Sequence, residues 1–448
     1  VPYGTSSPAL AFAISFWGVL MLKRRFVVLL LLLGGCARSS TDGPTTVFVG
    51  ARIIDGTGAD PIENAMLVVR NGRIDGVWPN RPDVPDGATV VDVSGRTIIP
   101  GLINTHGHVG ATAQTDSPEA LRATLLKELT QYARYGVTTV NSLGGEGSEA
   151  VAIRDEQATP SLSRARLYVA GNVVTGDTPG AAIAMVDENV ALGVDFIKIR
   201  VDDNLGSSTK MAPDVYRAVI DQTHEYDLPL AVHIFYLDDA KDLLRAGADL
   251  IAHSIRDRPV DEEVIQLFRA TGVCYVPTLT REVSTFVYEN EPEFFADPFF
   301  AIAADTALMT ALRDPESQQL YRESQSAQAY KRALRVASDN LKRLADQGVT
   351  IAFGTDTGPR ARFQGYFEHM EMQLMAEAGL TPMQIIKSAT GDAAQCLDLQ
   401  AVGTIRSGKW ADFVVLSEDP LADIRNMRSI ESVWIAGNQI PTSIPTSN

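Results

Sequence analysis

The chain has 448 residues, 45% hydrophobic and 21% charged, a profile that excludes a disordered chain, a collagen-like repeat and a multi-span membrane protein. Its formal charge of −16 and pI of about 4.9 argue against non-specific nucleic-acid binding, because phosphate contacts need clustered Lys and Arg. Length alone suggests two or three domains at about 150 residues each, although a single α/β barrel reaches about 250.

Residues 21–36 carry a basic start (Lys23, Arg24, Arg25), a short apolar run and small residues before Cys36. The run is shorter than the roughly 20 residues of a spanning helix, so it reads as a secretory signal. Leu33-Gly34-Gly35-Cys36 resembles the lipobox of bacterial lipoproteins. That resemblance implies cleavage before Cys36, lipidation of Cys36 and a tether over 36–45. The protein would then sit in the bacterial cell envelope, on the periplasmic or outer-membrane face, touching the membrane only through its anchor. Residues 1–20 read as upstream sequence; a longer, uncleaved signal anchor is the other reading. Cys274 and Cys396 lie in apolar contexts and are expected to be buried free thiols, although an exported protein can oxidise such a pair.

Residues 46–97 are strand-like, with Asn71-Gly72 as a hairpin signal between two apolar runs. From about 98 to 355 short apolar runs alternate with helical stretches. The runs are 102–104, 138–143, 167–170, 196–201, 230–234, 250–252, 275–279 and 350–353. Eight buried strands separated by helices predict an α/β fold of the (β/α)8 TIM-barrel type over 98–399. An aromatic-rich helical insertion, 281–345, interrupts the pattern before the last strand. It reads either as a lid over the C-terminal face or as a packing extension. After a helix at 382–397 the chain returns to strands, so 400–448 is expected to join 46–97 in a small β-sandwich domain.

Four of the six histidines fall at the ends of predicted barrel strands. His106 and His108 end the first, and the period of two turns them the same way. His233 ends the fifth strand, His253 the sixth and Asp356 the eighth. Active sites on such barrels lie at these C-terminal ends, and the shared location predicts a metal centre. Lys198 lies on the fourth strand with Ile197 and Ile199 facing away from it. A buried, inward Lys is costly unless paired or chemically altered. The preferred reading is a CO2-derived carbamate bridging two divalent cations; a salt-bridged Lys is the plainer one. His224 is expected on a helix surface and His369 in a structural role.

The motifs Pro100-Gly-Leu-Ile-Asn-Thr-His-Gly-His, Gly354-Thr-Asp-Thr and Gly403-Thr-Ile-Arg-Ser-Gly-Lys-Trp-Ala-Asp-Phe-Val-Val-Leu resemble the amidohydrolase superfamily. The likeness is to its binuclear members near the imidazolonepropionase-like and prolidase-like groups. It implies a first metal on His106, His108 and Asp356, a second on His233 and His253, and carbamylated Lys198 across both. The implied reaction is attack on a carbonyl carbon by a metal-bridging hydroxide, with Asp356 as catalytic base and then acid. Cleavage of an amide or dipeptide C–N bond is the leading expectation. A lactone, carboxylic ester or organophosphate would use the same site, while a non-catalytic binding lipoprotein would not need it. Zinc is the default metal, although manganese, cobalt or iron fit the same ligands. The expected partner is a small-molecule substrate, and the chain is expected to form a homo-oligomer.

Two departures from the prolidase-like pattern matter. The position two residues after His233 is Phe235, with the tyrosine one further on at Tyr236, so Tyr236 reaches substrate only if the strand has already ended. After His253 the chain reads Ser-Ile-Arg-Asp-Arg instead of the relatives' Glu-His-Gly style motif. Arg200, two residues past Lys198 on the same face, and Arg256 and Arg281, after the sixth and seventh strands, are candidate partners for a substrate carboxylate. An ordinary loop salt bridge is the alternative for each.

Overall fold

The computed structural model describes residues 43–80, 83–115, 117–302 and 304–441. The signal segment, Cys36 and most of the tether lie outside the described residues. Five strands come first among the described residues: β1 (Thr45–Ile53), β2 (Ile62–Arg70), β3 (Arg73–Pro79), β4 (Thr89–Asp92) and β5 (Thr97–Pro100). The β2–β3 turn is the Asn71-Gly72 hairpin, with φ of 50° and 75°. Two consecutive left-handed residues match the twist of the flanking strands. At Gly50 the register of β1 shifts. Before it β1 pairs in parallel with β4, and after it with β5.

Seven strands follow: β6 (Leu102–Gly107), β7 (Val137–Ser142), β8 (Arg166–Val169), β9 (Ile197–Arg200), β10 (Leu230–His233), β11 (Leu250–Ala252) and β12 (Cys274–Val276). They form two parallel sheets, β6-β7-β8 and β9-β10-β11-β12, and helices cover them. Local sequence sets those helices. Pro118, Pro179 and Pro213 open three of them, where the missing N–H costs no bond. Ser117, Thr178 and Asp261 cap helix starts with side-chain oxygens, each worth about 1 kcal/mol.

Backbone bonds join the two parallel sheets. Asp195 N donates to Val169 O at 2.8 Å and Val174 N to Lys198 O at 2.8 Å. On the other side 350–357 runs between β12 and β6. Ala352 N donates to Tyr275 O at 2.9 Å, and Thr105 N to Phe353 O at 2.9 Å. The strand expected at 350–353 is reduced to an isolated bridge, Ile351 to Tyr275. Its ladder fails because Phe353 N turns instead to Ser388 O and Asp356 takes a φ of 60°. Only glycine fits at 354, where a Cβ would meet Val276 Cγ1 at 2.6 Å and His106 at 3.1 Å.

The insertion after β12 begins with the helix Leu279–Val283, passes through three short 3-10 turns, and ends in the helices Thr306–Arg313, Pro315–Glu323 and Gln325–Asp346. Its aromatics Tyr288, Phe295 and Phe300 are buried against Phe363, Tyr366 and Phe367. The predicted helix at 382–397 is present in three pieces, with one π-helical turn at Ser388–Asp392.

The chain ends in β13 (Phe413–Leu416), β14 (Ile430–Ile435) and β15 (Asn438–Ile440), which extend the first sheet to the order β15-β14-β13-β5-β1-β2-β3. Phe48, Phe413 and Trp434 pack at its centre, ring centroids 4.8–5.9 Å apart. A buried ion pair fastens this sheet to β8. Arg166 Nε donates to Asp412 Oδ2 at 2.6 Å, and Asp412 Oδ1 also accepts Ala436 N at 2.7 Å. The guanidiniums of Arg73 and Arg166 both pack on the Trp410 ring, 3.9 and 4.6 Å from its centre.

One expectation is overturned. Cys274 and Cys396 are not free thiols but a disulfide, tying the start of β12 to the helix Ala393–Cys396. Their sequence separation of 122 residues hid the pairing, because only the folded chain brings the two elements together.

Candidate metal centre

His106 and His108 lie at the end of β6 and point the same way. His108 Nε2 is 2.9 Å from Asp356 Oδ1, and His106 Nε2 is 3.6 Å from the same oxygen. One ligand atom from each residue lies within 4.8 Å of the others. A cation bonding at about 2.0–2.2 Å spans atoms about 3–4 Å apart. The remaining residues adjoin this group. Lys198 Nζ is 3.4 Å from His106 Nε2, and the His253 ring sits 4.6 Å from His106 and 4.0 Å from His233.

The backbone pays little regard to comfort here. His253 and Thr278, just past β11 and β12, and Asp356, past the bridged run at 350–353, take φ of 71°, 48° and 60°. Each such non-glycine residue costs about 1–3 kcal/mol, and strain of this kind collects at functional sites. It aims His253 so that Nδ1 meets Thr278 Oγ1 at 2.7 Å.

Burial sets the charges. It holds His106 and His253 well below the usual imidazole range and pushes His233 down to about 3 despite its Asp202 contact. Burial also lowers Lys198 to about 7 against the pull of Asp356, Asp202 and Glu146. For Asp356 burial works upward, but Arg362 and the His108 hydrogen bond hold the carboxyl well below its usual range. Neutral imidazoles beside an ionised carboxylate are the donor set that a divalent cation takes. Among the described residues His106 Nδ1 has no hydrogen-bond partner, and the hydrogen-bond contact of the buried Lys198 amine is an imidazole nitrogen. The residues present therefore fit a bound metal group better than a closed protein network.

Further side chains brace these. Glu368 is wholly buried and accepts bonds from Asn104 at 2.7 Å, Thr355 at 2.8 Å and Thr357 at 2.6 Å. His233 Nε2 lies 3.2 Å from Asp202 Oδ2. Arg362 pairs with Asp356 Oδ2. Sequence reasoning missed Asp202, Glu368 and Arg362. For Asp202 the available signal was an acid two residues past Arg200 at the end of the lysine-bearing strand.

The other candidates have mixed surroundings. Arg200 Nε donates to Asp202 at 2.8 Å. Arg256 is buried and bonded to the carbonyls of Ile234 at 2.9 Å and Ser254 at 2.6 Å, with Glu282 at 3.0 Å. Its Nη1 ties two strand ends together, while Nε and Nη2 have no hydrogen-bond partner among the described residues. Arg281 is buried against Tyr330 and Glu282, and its Nε has no hydrogen-bond partner. β10 ends at His233, so Tyr236 lies past the strand, donating to Asp203 Oδ1 at 2.8 Å. Tyr236, Phe235, Arg256 and Arg332 line a cavity of about 490 Å³ that none of the six centre residues lines. His224 is on the surface beside Asp249, and His369 is buried against the Tyr135 carbonyl.

Residues 97–440 match the model of the amidohydrolase family. The chain is 23% identical to ochratoxinase of Aspergillus niger over 89% of this chain and 87% of that protein. It is 24% identical to imidazolonepropionase of Streptomyces griseus, covering 86% of this chain and 95% of that one. Among solved structures it resembles a Xaa-Pro dipeptidase with bound methionine in its active site. There the TM-score is 0.71 and the identity 22%, covering 88% of this chain and 99% of that chain.

Proposed function

The chain belongs to the amidohydrolase family, and from that premise we propose that it is a metal-dependent hydrolase cleaving an amide or dipeptide C–N bond. The observation that carries the reading is the convergence of His106, His108 and Asp356 beside buried Lys198. We take the two parallel sheets and 350–357 as a (β/α)8 barrel and the end-to-end sheet as a small β-sandwich domain. The backbone bonds on both sides of the parallel sheets support the first reading.

His106, His108 and Asp356 would hold one divalent cation, His233 and His253 a second, with Lys198 between them. Zinc is the metal we favour. Bound there, such ions supply a water acidic enough to ionise near neutral pH and polarise the substrate carbonyl. Lys198 at about 7 is partly a neutral amine, able to add to CO2 with loss of one proton and become an anionic carbamate. Asp356 takes a proton on a carboxylate oxygen and passes it to the departing nitrogen. The chain's own arginines near the strand ends, Arg200 and Arg281, are the groups for a substrate carboxylate.

Export is part of the proposal. A disulfide persists in oxidising compartments, and the Cys274–Cys396 bond supports a signal and a lipid anchor at Cys36. The test is hydrolysis by the zinc-loaded fragment from Ser39 onward, with Lys198→Ala as the blank. Dipeptides, N-acyl amino acids, lactones and aryl esters make up the panel. Amino-acid release by the wild type alone is expected. Turnover of esters or lactones with every amide untouched would overturn the C–N assignment.

A further inference from the structure

The two oxygens of the Asp356 carboxylate face different neighbours. Oδ1 faces the histidines, 2.9 Å from His108 Nε2, while Oδ2 is ion-paired with Arg362 Nη1. The same nitrogen reaches the Asp356 carbonyl oxygen at 3.3 Å, and Arg362 Nε donates to Ser284 Oγ at 3.1 Å. The guanidinium is therefore held on two sides and is mostly buried.

Its loop is fixed as well. Gly358 N donates to Arg362 O at 3.1 Å and Arg362 N to Pro359 O at 3.0 Å, closing the backbone on itself. From outside, the insertion grips it: Tyr288 donates its hydroxyl to Ala361 O at 2.5 Å, and the Phe300 and Phe363 rings meet at 4.8 Å. Ser284, the partner of Arg362 Nε, also belongs to the insertion.

We propose that Arg362 is a positioning residue that fixes the rotation of the Asp356 carboxylate, and that the aromatic insertion acts on the candidate centre by holding the loop that carries Arg362. The physical reason is that an aspartate's last torsion is broad and nearly two-fold, so either oxygen can turn inward. A charge-assisted bond to one oxygen removes that freedom and leaves the other to the histidine pair. This inference rests on the reading of Asp356 as a metal ligand.

The test uses the full chain in detergent, as wild type, Arg362→Ala, Arg362→Lys and Tyr288→Phe. Zinc affinity is measured against a chelator, and turnover is measured with and without added guanidinium ion. Arg362→Ala is expected to lose about 10–100-fold in zinc affinity or turnover, the usual scale for a residue that orients a ligand. Guanidinium should restore part of that loss, and Arg362→Lys should lose less. Tyr288→Phe should lose least, in the same direction. If Arg362→Ala does not fold, Arg362→Lys and Tyr288→Phe carry the comparison. Wild-type zinc affinity and turnover in Arg362→Ala would overturn the proposal, as would a loss in a normally folded variant that guanidinium leaves untouched. A wild type that holds none of zinc, manganese, cobalt or iron overturns the metal reading itself, which separates the two failures.

Discussion

Two buried charged sites stand at different places in this molecule, and they are built on opposite plans. At the junction of β8 and the end-to-end sheet, Arg166 and Asp412 are both almost fully buried. Arg166 donates to Asp412 through Nε at 2.6 Å and Nη2 at 3.2 Å, and to Gln157 O through Nη1 at 2.9 Å. At the strand ends, Lys198 is equally buried but has an imidazole nitrogen for company, and His106 Nδ1 has no hydrogen-bond partner among the described residues. The first site saturates its hydrogen bonds and holds two parts together. The second leaves donors and acceptors open, which suits a site that receives something.

The comparison breaks most visibly at the saturated site. Asp412→Ala strands the Arg166 charge and should lower stability by about 3–5 kcal/mol in urea unfolding. The double change Arg166→Met, Asp412→Asn removes both charges while keeping an acceptor for Ala436 N, and should recover part of the loss. A loss below about 1 kcal/mol for Asp412→Ala, the scale of a surface pair, would sink the contrast.

At the open site the effect falls on activity. Lys198→Ala should reduce kcat by about 10²–10³-fold, the scale on which one charge-stabilising group acts at a reacting centre. Metal content should fall with it, since the group proposed to hold both ions has gone. Retained turnover would remove Lys198 from the chemistry.

Next comes the disulfide. Replacing Cys274 and Cys396 together with serine should cost about 2–4 kcal/mol, read from the urea midpoint, with turnover of the folded protein unchanged.

The last effect is a pH slope, smallest when read near neutral pH. Burial pushes His369 down to about 3, from about 6.5 in an unfolded chain. The fold keeps it neutral while the unfolded chain takes up a proton, so its contribution is complete above about 6.5. Stability then falls on acidification toward about 3, by up to about 1.4 kcal/mol per pH unit. His369→Gln should flatten the curve in that window by up to one proton; parallel curves would show that His369 has no part in it.

What could be read from the chain alone was whatever is periodic or local. Alternation along β6 turned His106 and His108 the same way, and Asn71-Gly72 announced its hairpin. The eighth run was seen as a strand but is only a bridge, because its irregularity is imposed by Ser388, more than thirty positions later in the chain and next to it in space. Arg362 was missed because a loop with Ala361 at a φ of 67° has no periodic signature. Asp412 was visible as part of a motif, but its work of neutralising Arg166 depends on a contact across 246 residues. The cysteine pairing was hidden for the same reason.

The pairing of β5 with β13 has a consequence for how the molecule is made. Residues 97–100 find their antiparallel partner only at 413–416. During synthesis the opening strands wait, with one edge of β5 open, until nearly the whole polypeptide has emerged. Contacts of such long separation form slowly. Under the export proposed above, that delay would be an advantage: the nascent segment could not complete its sheet and lock itself on the wrong side.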